Sequence, residues 1–326
     1  MVPLKIALRG KNNEFTEAIL TAFRQQLPED EMIFWLIGER TPAADCEAVL
    51  VIGTMGADEM DQLPELALIQ TISDGYDAVD VDAATERGIW VSYSPGQETG
   101  NADSVAQYAV LLILAAARRL GVALRSMSDS LESRPMLNQS TIGMAVCIVG
   151  WGSIGQRVGS LLQPFGVTLS AADRKPEIIP AGVKAFPLEK LDDALGQADV
   201  TVVCLRGTQE NRHLFNAGRF AAMKQGAMLV NVARGTLVDE EALIRAVQSG
   251  HLGGAGLDVQ EHEPVKPGDP LLNVPEIFVT PHIAGFTTQT LHGSVRYGTQ
   301  VLEKYRAGKK FKSILNDPKQ PRTQLN

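Results

Sequence analysis

Cysteine is scarce in this 326-residue chain: Cys46, Cys147 and Cys204 are all there is, at no spacing that would hold a metal. An odd count lying in apolar, strand-like runs argues against a disulfide framework and suits a reducing compartment. Basic charge is also in deficit. Thirty Lys and Arg against 38 Asp and Glu leave a net charge of −8, without the cationic footprint that nucleic acid or an anionic membrane requires. No apolar run is long enough to span a bilayer. The longest, around Val105 to Ala117, is interrupted by polar residues and closes on Arg118 and Arg119, as a buried helix does. The opening MVPLKIALRG has no cleavage-type site after its short apolar run. The expectation is a cytoplasmic protein with no metal, no nucleic-acid partner and no membrane partner.

Glycine and apolar residues are plentiful: 30 glycines and 44% apolar side chains describe a packed globular chain with many tight turns. The length exceeds what one core normally serves, which predicts two domains and a cleft. Strand-like runs Leu4 to Leu8, Ala48 to Ile52, Leu68 to Ser73 and Gly88 to Ser92 alternate with helix-like stretches, the pattern of a parallel α/β sheet. A long helix follows, roughly Asp103 to Arg119. The polar segment Ser126 to Ser140 reads as a crossover or an oligomer arm. Alternation then restarts with strands Ala145 to Val149, Thr168 to Ala172, Val200 to Leu205, Ala227 to Val232, Gly254 to Asp258 and Ile277 to Thr280, and with helices from Ile154 and over Asp239 to Ser249. Six strands in that order suit a doubly wound sheet. Thr290 to Asn326 holds one helix and a basic tail that returns to the first domain.

Gly150-Trp151-Gly152-Ser153-Ile154-Gly155 stands between a strand and a helix whose apolar positions, Ile154, Val158, Leu161, Leu162 and Phe165, keep helical spacing. The first glycine permits a tight turn, the second admits a pyrophosphate to the backbone, and the third lets helix and strand pack closely. Asp173 ends the next strand, where a ribose-binding carboxylate belongs. Glycines as mere turn punctuation and Asp173 as a solvated acid would explain the residues separately but not their order. Asp173 favours NAD over NADP, while Arg174 and Lys175 leave NADP open.

Arg234, Glu263 and His282 each follow the carboxyl end of a strand in this second half, the edge where a doubly wound sheet binds its ligand. Reduction of a 2-oxo acid needs a cation for the carboxylate and carbonyl, which a guanidinium supplies in bidentate fashion. It also needs a proton donor, for which imidazole is suited near neutral pH. Glu263 would orient the His282 ring and favour its charged form. A strand-end salt bridge for Arg234 and a turn histidine for His282 are the structural alternatives, weakened by their joint occurrence with Glu263 and the glycine turn.

Asn231-Val232-Ala233-Arg234-Gly235, Gly256-Leu257-Asp258-Val259 with Glu263-Pro264, and Thr280-Pro281-His282-Ile283-Ala284-Gly285 resemble the signatures of the D-2-hydroxyacid dehydrogenase family. The resemblance spans nearly the whole chain. It implies an α/β fold of two doubly wound parallel sheets, with a flavodoxin-like substrate domain (residues 1–100 and 290–326) and a Rossmann cofactor domain (101–289). It implies Arg234, Glu263 and His282 as the catalytic set. Cofactor contacts would come from Val105, Leu205, Arg206, Thr208, Ala233 and Asp258 beside the glycine motif, and a homodimer is implied. Ser73-Asp74-Gly75-Tyr76-Asp77 looks like the family's substrate-carboxylate loop, and Asn101 to Tyr108 like the start of its interdomain helix, with Asn101 a further substrate contact. Gln107, Arg206, Gln260 and Asp74 depart from the family's usual residues. Asp74 is the sharpest departure, since it puts an acid where an anion should dock.

The leading expectation is an oxidoreductase moving a hydride between NAD(H) and a 2-hydroxy or 2-oxo acid such as glyoxylate, hydroxypyruvate or an aryl pyruvate. The alternative is an NAD(H)-binding sensor of corepressor type on the same fold. Formate and phosphite are disfavoured, by Glu263 and by the lack of a cation at Asp74 respectively. His213, His251, His262 and His292 read as surface or loop histidines, and Tyr76 and Trp90 as core aromatics with a weaker claim on substrate.

Overall fold

The computed structural model describes residues 3–128 and 137–326. They form two compact units: the chain up to Asn101 together with Phe286–Asn326, and Ala102–Gly285.

Unit 1 holds a five-stranded parallel sheet of β1 (Lys5–Gly10), β2 (Glu31–Leu36), β3 (Ala48–Val51), β4 (Leu68–Thr71) and β5 (Trp90–Ser92), in the order β2-β1-β3-β4-β5. This is the flavodoxin-like order, with its switch point between β1 and β3. Its helices are α1 (Glu14–Gln26), α2 (Ala57–Met60), α3 (Val81–Glu86) and α4 (Gly96–Thr99). Strands β3 and β4 are buried at every position, as expected of a parallel strand covered on both faces. β2, not among the expected strands, is an edge strand of mixed burial although its residues Met32–Leu36 form a continuous apolar run. Asn13 starts α1 by accepting the Thr16 N–H on its side chain. The tail returns to this unit: the Trp90 indole donates to the Thr323 carbonyl at 2.8 Å, and Ile314 bridges Ser92.

Unit 2 is built from α5 (Asn101–Ala117), α6 (Leu120–Ser128), α7 (Ser153–Leu162), α8 (Leu191–Leu195), α9 (Ala217–Ala222) and α10 (Glu240–Gln248). Its seven parallel strands are β6 (Ala145–Val149), β7 (Thr168–Asp173), β8 (Lys184–Pro187), β9 (Val200–Val203), β10 (Met228–Asn231), β11 (Gly254–Leu257) and β12 (Ile277–Val279). Their order is β12-β11-β10-β9-β6-β7-β8, so the chain reverses direction across the sheet between β6 and β9. The seventh strand, β8, was not expected; it is an edge strand with Phe186 as its one buried residue. The final helix of the chain, α11 (Thr288–Arg306), belongs to unit 1.

The single helix expected over Asp103 to Arg119 is two. Arg119 takes a left-handed backbone (φ 46°), which an α-helix cannot continue through, and α6 leaves at 64° to α5. Of the segment Ser126 to Ser140, α6 takes the first residues and residues 129–136 lie outside the described ones. Among the described residues no single helix is long and apolar enough to cross a membrane. Gly256 admits α5 to the sheet, because a Cβ there would meet Leu112 Cβ at 2.9 Å.

Burial pushes the thiols of Cys46 and Cys147 up to about 11, and both are fully enclosed. Iodoacetamide at pH 8 is therefore expected to leave both unlabelled in the native protein and to label both in denaturant, because the thiolate is the reactive form. Mass spectrometry of the two digests reads the outcome; native labelling of Cys147 would contradict the packing around β6.

Candidate active site

The glycine turn after β6 is dictated by close approach. Gly150 has φ 101°, and a Cβ on Gly155 would lie 2.0 Å from the Gly150 carbonyl oxygen. A Cβ on Gly152 would meet nothing within 4 Å. That residue caps α7 without a side chain to satisfy the first-turn N–H groups, so these donors and the helix dipole are available to an anion. Ser153 and Ile154, the first residues of α7, are half-buried. Asp173 ends β7 and braces the turn: its Oδ2 accepts the Trp151 N–H at 2.8 Å and its Oδ1 the Lys175 N–H at 2.9 Å. Each oxygen retains a lone pair for a ribose hydroxyl. An open, cationically biased helix terminus beside a fixed carboxylate fits a dinucleotide.

The other expected cofactor residues lie on several elements of unit 2. Leu205 packs against the core, and Val105 is buried in α5. Arg206 and Thr208 lie in an exposed loop closed by Asn211, which donates to the Arg206 carbonyl at 2.8 Å and accepts the Thr208 N–H at 2.7 Å. Arg174 is exposed. Ala233 is buried, with its N–H on the Asn231 side chain at 3.0 Å.

Arg234, Glu263 and His282 follow β10, β11 and β12, which are adjacent and parallel in the sheet. Neighbouring strands lie about 4.8 Å apart, so the three loops leave one short edge. His282 Nδ1 and Glu263 Oε2 are 2.8 Å apart. Glu263 is itself aimed by the Gln260 N–H, which donates to its Oε1 at 3.0 Å. Gln260 is buried, and its side-chain amide donates to the carbonyls of Leu257 and Thr280. The amide found where the family usually has an aromatic thus staples the end of β11 to the end of β12. Gly235 lets the Arg234 turn reach this loop, since a Cβ there would lie 1.9 Å from the Gln260 carbonyl carbon. Gly207 leaves room for the Arg234 stem, its virtual Cβ being 2.9 Å from Arg234 Cγ.

His282 adopts φ 56°, a left-handed conformation that costs a non-glycine residue on the order of 1–3 kcal/mol. The surroundings impose it. Asp258, 1% exposed, accepts the Thr280 hydroxyl and the Ile283 N–H on Oδ1 and the Ala284 N–H on Oδ2, and its carbonyl accepts the His282 N–H at 2.8 Å. The Asp258 carboxylate thus holds residues 280–284 and acts on His282 through the turn.

Of the histidines read as surface residues, His213 has a partner the sequence could not show: its Nε2 is 2.8 Å from Glu261 Oε1, which also pairs with Arg212. Glu240 accepts the Glu261 N–H at 2.7 Å, and burial pushes its carboxyl up. The loop after β9 is therefore tied to the loop that carries Glu263. His251 bonds the Phe220 carbonyl at 2.9 Å.

In unit 1, Ser73 to Tyr76 follows β4. Asp74 Oδ1 accepts the Gly96 N–H at 3.1 Å, which draws the acid toward the start of α4. Gly75 and Tyr76 are half-buried, as is Asn101, while Gln107 is exposed. Trp90 is a core residue.

A flavodoxin-like unit joined to a seven-stranded doubly wound unit, with an anion-ready glycine turn and a His–Glu pair at the carboxyl edge, defines the two-domain nucleotide-dependent dehydrogenase class. Residues 110–284 match the model of the D-isomer specific 2-hydroxyacid dehydrogenase NAD binding domain, and the chain belongs to that family. It is similar to D-3-phosphoglycerate dehydrogenase of Mycobacterium leprae, at 38% identity over 81% of this chain and 49% of that one. It is also similar to glyoxylate reductase of Korarchaeum cryptofilum, at 33% identity over 89% and 87%. The NADPH-dependent glyoxylate/hydroxypyruvate reductase of Sinorhizobium meliloti, solved with NADP and malonate, superposes with a TM-score of 0.84 at 27% identity, covering 100% of this chain and 99% of that one. The chain spans about half the length of the phosphoglycerate dehydrogenases it matches.

Proposed function

We propose that the protein is an NAD(P)-dependent oxidoreductase that reduces a 2-oxo acid to its 2-hydroxy acid, with glyoxylate, hydroxypyruvate and aryl pyruvates as the candidate acids. The observation that carries the reading is the His282–Glu263 pair, 2.8 Å apart, on the same sheet edge as Arg234 and in the same unit as the glycine turn. In this reading Gly152 and the α7 terminus bind the pyrophosphate, and Asp173 holds the adenosine ribose. A bound reduced nicotinamide supplies the hydride. Arg234 holds the carboxylate and polarises the carbonyl. Glu263 occupies Nδ1 of His282, which leaves Nε2 to deliver the proton to the carbonyl oxygen. Ser73 to Tyr76 is the proposed carboxylate loop, with Asp74 held away on Gly96. In the oxidative direction His282 removes the proton.

A homodimer belongs to the same proposal. It is supported by apolar surface on α6, where Leu124 and Met127 are 53% and 78% exposed beside a cleft of about 350 Å³ against β12.

The test is spectrophotometric: NADH and NADPH oxidation against glyoxylate, hydroxypyruvate, pyruvate, phenylpyruvate and longer 2-oxo acids. Turnover of at least one acid is expected; NADH binding without turnover of any of them would favour the sensor reading instead. Cofactor choice has its own test. Replacing Asp173 by Ser removes a fixed negative charge from the site of a 2′-phosphate, which raises the ratio of kcat/KM for NADPH over NADH by about tenfold or more. An unmoved ratio would take Asp173 out of the ribose site.

A further inference from the structure

The loop after β9 meets three parts of the unit 2 site in turn. At its start it abuts the glycine turn: a Cβ on Gly150 would lie 2.8 Å from both the Cys204 carbonyl carbon and the Leu205 nitrogen. Midway it meets the Arg234 turn, since a Cβ on Gly207 would lie 3.1 Å from Arg234 Cβ and 3.6 Å from Thr236 Oγ1. At its end the His213 N–H donates to the Thr236 carbonyl at 2.8 Å, and the Phe215 N–H to the Leu237 carbonyl at 2.9 Å. The chain there runs alongside the segment that leaves Arg234. Arg206, Thr208, Gln209, Glu210 and Arg212, between these contacts, are exposed. Such a loop is free to answer a ligand while its two ends stay fixed.

Glu261 fastens the far end. Its Oε1 accepts from the Arg212 guanidinium and lies 2.8 Å from His213 Nε2, and its side chain is only 13% exposed. Its N–H is fixed in turn by the Glu240 carboxylate at the start of α10. A largely enclosed carboxylate with two cationic or polar donors is held more firmly than a surface ion pair. His213 also keeps a left-handed backbone, φ 50°, which a residue with a side chain retains only where its surroundings over-determine it. Glu261 stands between Gln260, whose N–H aims Glu263, and Glu263 itself. A displacement of the loop after β9 thus reaches the partner of His282 through two residues of chain.

We infer that Glu261, Arg212 and His213 form a latch that couples nucleotide binding to the placement of Glu263. A nucleotide on the glycine turn seats the loop after β9, and the latch carries that seating to the loop that holds the His282 partner. The three are positioning residues. The inference rests on the proposed NAD(P)-dependent reduction and adds a reason for the two halves of the site to act together. Couplings of this kind change an affinity by about 5–150-fold.

The experiment is hydrogen exchange read by mass spectrometry on the full chain, with and without NADH, in the wild type, Glu261→Ala, Arg212→Ala, Arg212→Lys and the double variant Glu261→Ala/Arg212→Ala. In the wild type NADH is expected to slow exchange in residues 205–213 and also in 260–263. Glu261→Ala is expected to keep the first effect and lose the second. Its NADH dissociation constant, read by fluorescence, is expected to rise by about fivefold or more. Arg212→Lys is expected to stay within about twofold of wild type, and the double variant to bind NADH no more weakly than Glu261→Ala alone. Undiminished slowing of 260–263 in Glu261→Ala overturns the latch, as do losses of affinity that add in the double variant. NADH protection of both segments in a wild type that turns over no 2-oxo acid overturns the reaction and leaves the latch. Absence of protection at 205–213 in the wild type overturns the latch whatever the turnover.

Discussion

His282→Gln is expected to lower kcat by about 10²–10⁴-fold, the usual contribution of a positioned proton donor, while the NADH dissociation constant read by fluorescence stays within about twofold. The reasoning starts from geometry. A glutamine side chain can still offer an N–H to Glu263 from a similar position, so the 2.8 Å partnership has a substitute, but an amide cannot give up a proton to an alkoxide. The backbone sits at φ 56° in either case, a strain that both side chains share. Asparagine tolerates this conformation better than either, so His282→Asn should fold at least as stably and be equally slow. Thermal denaturation of both variants separates lost chemistry from lost fold. A rate within a fewfold of wild type would remove His282 from the proton transfer.

The second large effect falls on a residue with 1% of its surface exposed. Asp258→Asn replaces one acceptor oxygen by an NH₂ group in a site where the Thr280 hydroxyl and the N–H groups of Ile283 and Ala284 all point at the carboxylate. Donor then faces donor. Hydrogen bonds to a charged acceptor contribute about 1.5–3 kcal/mol each, and at least one is lost outright. The expected result is a loss of on the order of 3 kcal/mol in stability by urea denaturation. A fall in kcat should accompany it, because the same bonds hold His282 in its left-handed turn. Unchanged stability would mean that the 280–284 turn is held by other contacts.

The pairing of Glu263 with His282 was legible in the sequence because both residues follow apolar strand-like runs, an imidazole that moves a proton calls for an orienting acid, and the flanking motifs resemble those of the family. What holds them was not. Gln260 read as a departure from the family pattern, yet its buried amide joins Leu257 and Thr280 across two strands, a role visible only when both strand ends are in place. His213 and Glu261 are 48 residues apart, and nothing in either neighbourhood announces the other. The bond from Gly96 to Asp74 was equally hidden, because a sequence does not say which way a loop carboxylate turns and Gly96 is 22 residues on. The strands outside the expectations, β2 and β8, are both sheet edges; β8 is short, wet on most positions and without an apolar run, whereas β2 carries the continuous run Met32–Leu36, a signal the sequence did offer. The break between α5 and α6 was hidden because Arg119 is a good helix former whose conformation is set by its surroundings.

The division of the chain also orders events during synthesis. Unit 2 is continuous in sequence, so every residue of its two apolar clusters has been made once residue 284 has left the ribosome. Unit 1 begins first and finishes last: its core includes Val295, Leu302, Phe311 and Leu325 alongside Ile6, Leu8 and Phe23. The amino-terminal sheet must wait, with part of one face uncovered, while 184 residues of another domain are translated and fold. Chaperone demand in the cell should therefore fall on unit 1, and the nucleotide-binding half should be the first to reach its native form.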